Sequence, residues 1–115
     1  MAEVLLFIHD FKLGTKISDI LTREDRSVEF VDDLTRWPGQ LQSDTRLCIV
    51  DLDDTDFGTV HLISLLRASR PELQIVGYFK YTVKETHDKM KAAGCNLILT
   101  RSSLAKNIPT LVKNL

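Results

Sequence analysis

Cys48-Ile49-Val50-Asp51-Leu52-Asp53-Asp54 is an apolar run that ends in three carboxylates within four positions. The side chains from 47 to 50 show no polar alternation, which is typical of a strand covered on both faces in a parallel sheet. Such sheets carry their chemistry just beyond the carboxyl ends of the strands, because side chains there leave the packed layers. The pattern therefore predicts a buried strand that delivers Asp51 to the rim of a sheet.

The composition indicates a small globular protein. The 115 residues include 15 basic and 16 acidic side chains, for a net charge of −1, and 43% of them are hydrophobic. This balance lacks the basic patch of a nucleic-acid binder, and no apolar run approaches the roughly 20 residues that span a bilayer. The start of the chain is not typical of a secretory signal. We expect a single domain over residues 1–115, cytoplasmic, and a monomer or weak dimer.

Apolar segments alternate with helical patterns along the whole chain. They predict five strands, near positions 4–8, 28–31, 47–50, 74–79 and 96–99. The second connection contains Pro38-Gly39, which opposes a helix and predicts a short or damaged one there. The alternation predicts an α/β protein with a mostly parallel sheet.

The other connections carry helix boundary signals. Asp56 is placed to cap the helix after the third strand. Thr82 and Glu85 have the form of a capping box for the next helix, which we expect to stop at Gly94. Pro109 is expected to break the last helical segment.

The commonest topology for five such strands places two distant acids together. It is a flavodoxin-like, doubly wound parallel sheet with strand order 2-1-3-4-5. Strands one and three are then neighbours, so Asp10 after the first strand should lie close to Asp51 after the third.

Converging carboxylates need a positive partner, because an unpaired buried charge costs several kcal/mol. Mg²⁺ is the usual ion for oxygen ligands, and it leaves a position for a phosphoryl oxygen. An aspartate beside it can attack a phosphoryl donor while a basic side chain steadies the transferred charge. Asp51 is the candidate nucleophile.

At these residues the chain resembles the receiver domains of bacterial response regulators, over nearly its whole length. Receivers carry an acidic pair after the first strand, and here His9-Asp10 stands there, so that Asp10 matches the second acid. Asp51 matches the phosphoacceptor. Asp53 matches the residue whose backbone carbonyl completes the metal site. Gly58 and Ala93-Gly94 match further glycine positions of the family.

Several departures from the receiver pattern predict an atypical receiver, or pseudo-receiver. The fourth strand ends Gly77-Tyr78-Phe79-Lys80, without the threonine or serine that closes on the phosphoryl group in receivers. Arg101-Ser102 replaces the lysine and proline after the fifth strand, and Arg101 can clamp Asp51 in place of a metal ion. We therefore expect Mg²⁺ binding to be weak or absent.

The resemblance implies a non-enzymatic signalling module of the two-component or phosphorelay type. Its output would be binding of a protein partner, a kinase or a downstream effector. Exposed aromatic side chains are enriched where proteins bind each other. We expect the partner surface at the end of the fourth strand, at Tyr78, Phe79, Lys80 and Tyr81.

Two alternatives stay open at this point. One is a working Mg²⁺-dependent phosphoacceptor that borrows Thr82 or Thr100 for the closing contact. The other is a small α/β phosphatase or hydrolase that uses Asp51 as nucleophile and Asp10 as acid, although no phosphate loop or nucleophile motif is present in the sequence.

Overall fold

Five apolar segments pair side by side as parallel strands of one sheet. The computed structural model describes residues 2–35, 37, 41, 44–113 and 115. The strand order is β2-β1-β3-β4-β5, which confirms the predicted doubly wound, flavodoxin-like topology. The strands are β1 (Val4–Phe7), β2 (Val28–Phe30), β3 (Leu47–Asp51), β4 (Gln74–Phe79) and β5 (Leu97–Thr100).

Four helices of the described residues cover both faces of this sheet. They are α1 (Phe11–Arg23), α2 (Val60–Ser69), α3 (Lys84–Ala93) and α4 (Arg101–Lys113). The apolar stripes of α1 and α4 pack on one face, and α2, together with Met90 of α3, packs on the other. None of these helices is both long and apolar enough to cross a membrane. The predicted defect in a second helix, at Pro38-Gly39, falls outside the described residues.

The register of the central strands sets the geometry of the rim. Phe7 of β1 pairs with Val50 of β3, and Asp51 pairs with Tyr78 of β4. Parallel strands in this register end at one edge of the sheet, so the residues after β1, β3 and β4 emerge side by side.

Two of the predicted helix starts are wrong. Thr59, and not Asp56, caps α2, since its side chain accepts a hydrogen bond from the Leu62 amide at 3.1 Å. The start of α3 lies one residue later than predicted. Val83 occupies the cap position without a side-chain hydrogen bond, so Thr82 is too early to form a capping box with Glu85.

Pro109 does not break the last helix, which contradicts the expected interruption. Helix α4 runs through it without a gap, although proline cannot donate the backbone hydrogen bond of its position. The apolar stripe of Leu104, Ile108 and Val112 is fully buried. Burial of three such side chains is worth several kcal/mol, which exceeds the cost of about 3 kcal/mol for one internal proline.

Arg67 joins three segments at the edge of the sheet opposite the acidic rim. Its guanidinium donates to the carbonyl oxygens of Pro71, Leu73 and Gly94 at 2.7 to 2.8 Å and to the Asn96 side chain at 2.6 Å. Gly94 ends α3 as predicted, with a positive φ of 135°. A Cβ atom at Gly94 would lie 2.8 Å from the Arg67 Cβ, so glycine also permits this close approach.

Replacing Arg67 with Met should lower the free energy of unfolding by about 3 kcal/mol, because several backbone carbonyls lose a charged donor at once. Urea denaturation followed by circular dichroism measures this change. Arg23→Met, at an exposed arginine in the last turn of α1, is the matched control and should cost no more than about 0.5 kcal/mol. Equal losses in the two variants would contradict the role assigned to Arg67.

Candidate functional site

Asp51 lies at the carboxyl end of β3 and is largely buried, with 9% of its surface exposed. Its Oδ1 accepts a hydrogen bond from the Asp53 amide at 2.9 Å. Burial raises the pKa of Asp51 above its ordinary value, and the amide hydrogen bond only partly opposes this effect. The neutral acid is therefore favoured more than in an exposed aspartate.

Tyr78 packs against Asp51 from the neighbouring strand. The side chain is 1% exposed, and its hydroxyl makes no hydrogen bond of regular geometry within the described part of the chain. The hydroxyl nevertheless lies close enough to Asp51 to stabilise its carboxylate. Burial raises the pKa of Tyr78, and the negative charge of Asp51 raises it further, so the phenol stays protonated and can donate.

The predicted partner surface is wrong for Tyr78 and Phe79. Both side chains are buried, at 1% and 5% exposure, because β4 lies inside the sheet and helices cover both of its faces. Lys80 and Tyr81 follow the strand and are exposed, and the Lys80 ammonium lies 5.7 Å from the centre of the Tyr81 ring.

Asp10 and Arg101 form an ion pair across the rim. Asp10 caps α1 by accepting from the Leu13 amide at 3.0 Å, and its other carboxylate oxygen accepts from the Arg101 guanidinium. Both hydrogen bonds lower the pKa of Asp10. The expected clamp of Arg101 on Asp51 is therefore not formed, since the guanidinium is held by Asp10. Asp51 still adds to the electrostatic stabilisation of the Arg101 charge, so Asp10, Asp51 and Arg101 lie at one rim of the sheet.

His9 contacts a carboxylate that the sequence analysis did not single out. Its Nδ1 lies 2.7 Å from Asp54 Oδ2, and its ring lies 4.3 Å from that of Phe57. Asp54 Oδ1 accepts from the amides of Asp56 and Phe57, which shapes the loop after β3. Gly58 is required here, because a Cβ atom would lie 2.2 Å from the Leu52 carbonyl oxygen.

One group of metal-ligand type results from this loop. His9, Asp54 and Asp56 place their ligand atoms within 4.8 Å of one another. The sequence offered a signal for it only in the local density of acids from 51 to 56. The distance of His9 from that segment along the chain concealed the contact.

The carboxylates expected to hold Mg²⁺ are already engaged. Asp10 is bound to Arg101 and to a backbone amide, and Asp51 accepts from the Asp53 amide. The Asp53 side chain accepts from the Lys80 amide at 2.6 Å, whereas the resemblance assigned only its backbone carbonyl. A Mg²⁺ ion at this site would compete with the Arg101 guanidinium for the Asp10 carboxylate.

Comparison with solved structures identifies the fold. A CheY-like receiver domain protein of Methanospirillum hungatei matches with a TM-score of 0.84 and 16% identity, over 99% of this chain and 92% of that one. The BeF3-activated receiver domain of DrrB from Thermotoga maritima matches with a TM-score of 0.83 and 16% identity, over 99% and 96%.

A third match is a Burkholderia pseudomallei response regulator, whose structure contains a phosphorylated aspartic acid, a calcium ion and citrate. Its TM-score is 0.75 and its identity 17%, over 99% of this chain and 72% of that one. Neither a family model nor a curated protein sequence matches the chain. The chain therefore has the receiver fold of response regulators, as the resemblance implied, and at this identity the likeness concerns the fold alone.

Asp51→Asn should stabilise the protein at pH 7. Because the pKa of Asp51 is raised in the folded state, its ionisation opposes folding as the pH rises above the ordinary value of 3.8. Asparagine can still accept from the Asp53 amide but carries no buried charge. The gain in unfolding free energy should therefore disappear as the pH is lowered, which denaturation curves at several pH values measure.

Asp10→Asn is the matched control of opposite sign. The pKa of Asp10 is lowered, so its stabilising effect is present above the ordinary value and is lost as the pH falls through the folded-state pKa. This variant keeps a good helix cap but loses the Arg101 ion pair, at a cost of about 0.5 to 1 kcal/mol at pH 7. If the two variants changed the free energy of unfolding at pH 7 in the same direction, the assigned electrostatics would be contradicted.

Proposed function

We propose that this chain is a receiver-like signalling module that acts by binding a protein partner, and that Asp51 is a degenerate phosphorylation site. The observation that carries the proposal is the burial of Asp51 against Tyr78, beside an Asp10 already neutralised by Arg101. The receiver fold supports the signalling class, and the altered site supports the loss of regular phosphoacceptor chemistry.

Phosphoryl transfer to an aspartate requires an ionised and accessible carboxylate. In this chain burial raises the pKa of Asp51, and only 9% of its surface is exposed. Arg101 supplies positive charge at the mouth without a metal ion, but its guanidinium is directed at Asp10. These features make Asp51 a poor nucleophile toward a phosphoryl donor.

The hydrolase alternative receives no support from the same geometry. It would need Asp10 to hold a proton and to deliver it to a leaving group. The pKa of Asp10 is lowered by its hydrogen bonds, so Asp10 stays ionised at neutral pH. We therefore assign no enzymatic activity to this pair.

A working phosphoacceptor is the second candidate, and one observation favours it. The Tyr78 hydroxyl is a buried donor without a regular acceptor, so it could supply the contact for which Thr82 and Thr100 were considered. Thr100 is instead engaged with the Ser103 hydroxyl at 2.9 Å. Thr82 is exposed after the end of β4.

His9→Asp should increase the affinity for Mg²⁺ by about tenfold, because it adds a hard oxygen ligand where the receiver pattern has an acid.

With Mg²⁺ and beryllofluoride, the wild-type chain should show no coupled amide shifts around Asp51 and β4 in nuclear magnetic resonance spectra. Asp51→Asn is the control for specific binding. Saturable shifts at both places in the wild type, absent in Asp51→Asn, would favour the phosphoacceptor instead.

The surface around α3 is the best candidate for the partner. Only Met90 of this helix is buried, and the segments before and after the helix carry exposed apolar side chains: Tyr81 is 77%, Val83 60% and Leu97 37% exposed. Exposed apolar groups that adjoin one another often mark protein-binding sites. Lys80 and Tyr81, which the sequence predicted as part of the partner surface, belong to this region. The region is larger than the predicted surface because it extends toward β5.

Val83→Glu should weaken partner binding by about tenfold or more, because it replaces an exposed apolar side chain of this surface with a charge. A partner captured from the cells of origin and then purified can be titrated against each variant by calorimetry. Leu65→Glu, at a 41% exposed leucine of α2, is the matched control and should leave the affinity unchanged. Asp51→Asn should also leave it unchanged. Equal effects of Val83→Glu and Leu65→Glu would place the partner elsewhere.

A further inference from the structure

A cavity of about 450 Å³ opens beside the Asp10–Arg101 ion pair, and its lining shares Lys80 and Tyr81 with the proposed partner surface. Lys16 of α1, Lys80 after β4 and Arg101 at the start of α4 line it. These residues come from three separate elements, so the fold gathers their charges in one place. Cavities of about 300 to 1,000 Å³ are usual for small-molecule sites.

The charge of this cavity is one-sided. Among the described residues that line it there are three cations and no carboxylate. A second cavity of about 470 Å³ on the same rim has the opposite character, with Asp32, Asp33 and Asp56 in its lining. Since the whole chain carries a net charge of −1, the positive cavity is a local feature and not a consequence of a basic protein.

Lys16 and Lys80 carry most of the available positive charge. The guanidinium of Arg101 is shared with Asp10, whereas neither lysine ammonium has a carboxylate partner within the described residues. Ser102 adds a hydroxyl to the lining. Ammonium and hydroxyl groups are donors suited to the oxygens of a phosphate.

The remaining lining is apolar and aromatic. Leu13 and Ala105 contribute aliphatic surface, and the Tyr81 ring is 77% exposed at the wall. Planar heterocycles stack favourably on such rings, and a neighbouring cation such as Lys80 strengthens the attraction for an electron-rich system. A ligand for this cavity would thus combine an anion with a flat ring.

We propose that this cavity binds a small phosphorylated molecule with a planar ring, of the mononucleotide class. The phosphate contacts Lys16, Lys80 and Ser102, and the ring lies on Tyr81. The site needs no phosphorylation at Asp51, and it is tested with small-molecule probes in the absence of a protein partner, so its failure is distinguishable from failure of the proposed function.

Titration of the full chain with adenosine 5′-monophosphate and, separately, with pyrophosphate tests the site. Amide shifts should be saturable for both and centred on Lys80, Tyr81 and Ser102. Lys16→Gln and Lys80→Gln should each raise Kd about threefold to fivefold for both probes. Tyr81→Ala should raise Kd about fivefold or more for the nucleotide only. Added salt should weaken both interactions.

Lys84→Gln is the matched charge control, because Lys84 is exposed nearby on α3 but does not line the cavity. It should change Kd by less than about twofold. The proposal would be overturned if neither probe gave a saturable shift up to about 10 mM. It would also be overturned if Lys84→Gln and Lys80→Gln raised Kd equally, or if Tyr81→Ala raised Kd equally for the two probes. The last result would leave a plain anion site without ring recognition.

Discussion

The ion pair between Asp10 and Arg101 is the contact on which the organisation of the rim depends. Its two members lie 91 positions apart, after β1 and after β5, and only the parallel order of the strands brings them together. Asp10 also caps α1, so one carboxylate stabilises a helix start and neutralises the cation at the start of α4. The pair is partly exposed, which limits its effect on stability to about 1 kcal/mol or less. Its larger effect is on charge, because it holds the Arg101 guanidinium against Asp10 rather than against Asp51.

Asp51 has no direct ion-pair partner within the described residues, although it is largely buried. Burial raises the pKa of Asp51, and the hydrogen bond from the Asp53 amide and the neighbouring Tyr78 phenol only partly oppose this effect. Tyr78 and Asp51 are paired across β4 and β3, and the phenol adds to the stabilisation of the carboxylate.

The elements predicted from periodicity agree well with the structure, since the apolar spacing that defines strands is the same property that buries them. Helix ends were predicted less well. Whether Asp56 or Thr59 caps α2 depends on the shape of the preceding loop, which Gly58 and Asp54 determine through contacts that no local pattern contains. Pro109 shows the same limit of local patterns, because the tertiary packing of α4 outweighs the local cost of a proline inside a helix.

The candidate site likewise has a part that the sequence predicts and a part that it does not. Strand ends place Asp51 and the Asp10–Arg101 region at one rim, and this follows from topology alone. The partner of each charged side chain depends on distances of a few ångströms. The contacts of His9 with Asp54 and of Tyr78 with Asp51 could therefore not be predicted from the sequence. The result is a rim with an acidic side near His9 and a basic side near Lys16. Because Arg101 lines the basic cavity while bound to Asp10, an anion in this cavity and the Asp10 carboxylate would act on the same guanidinium charge.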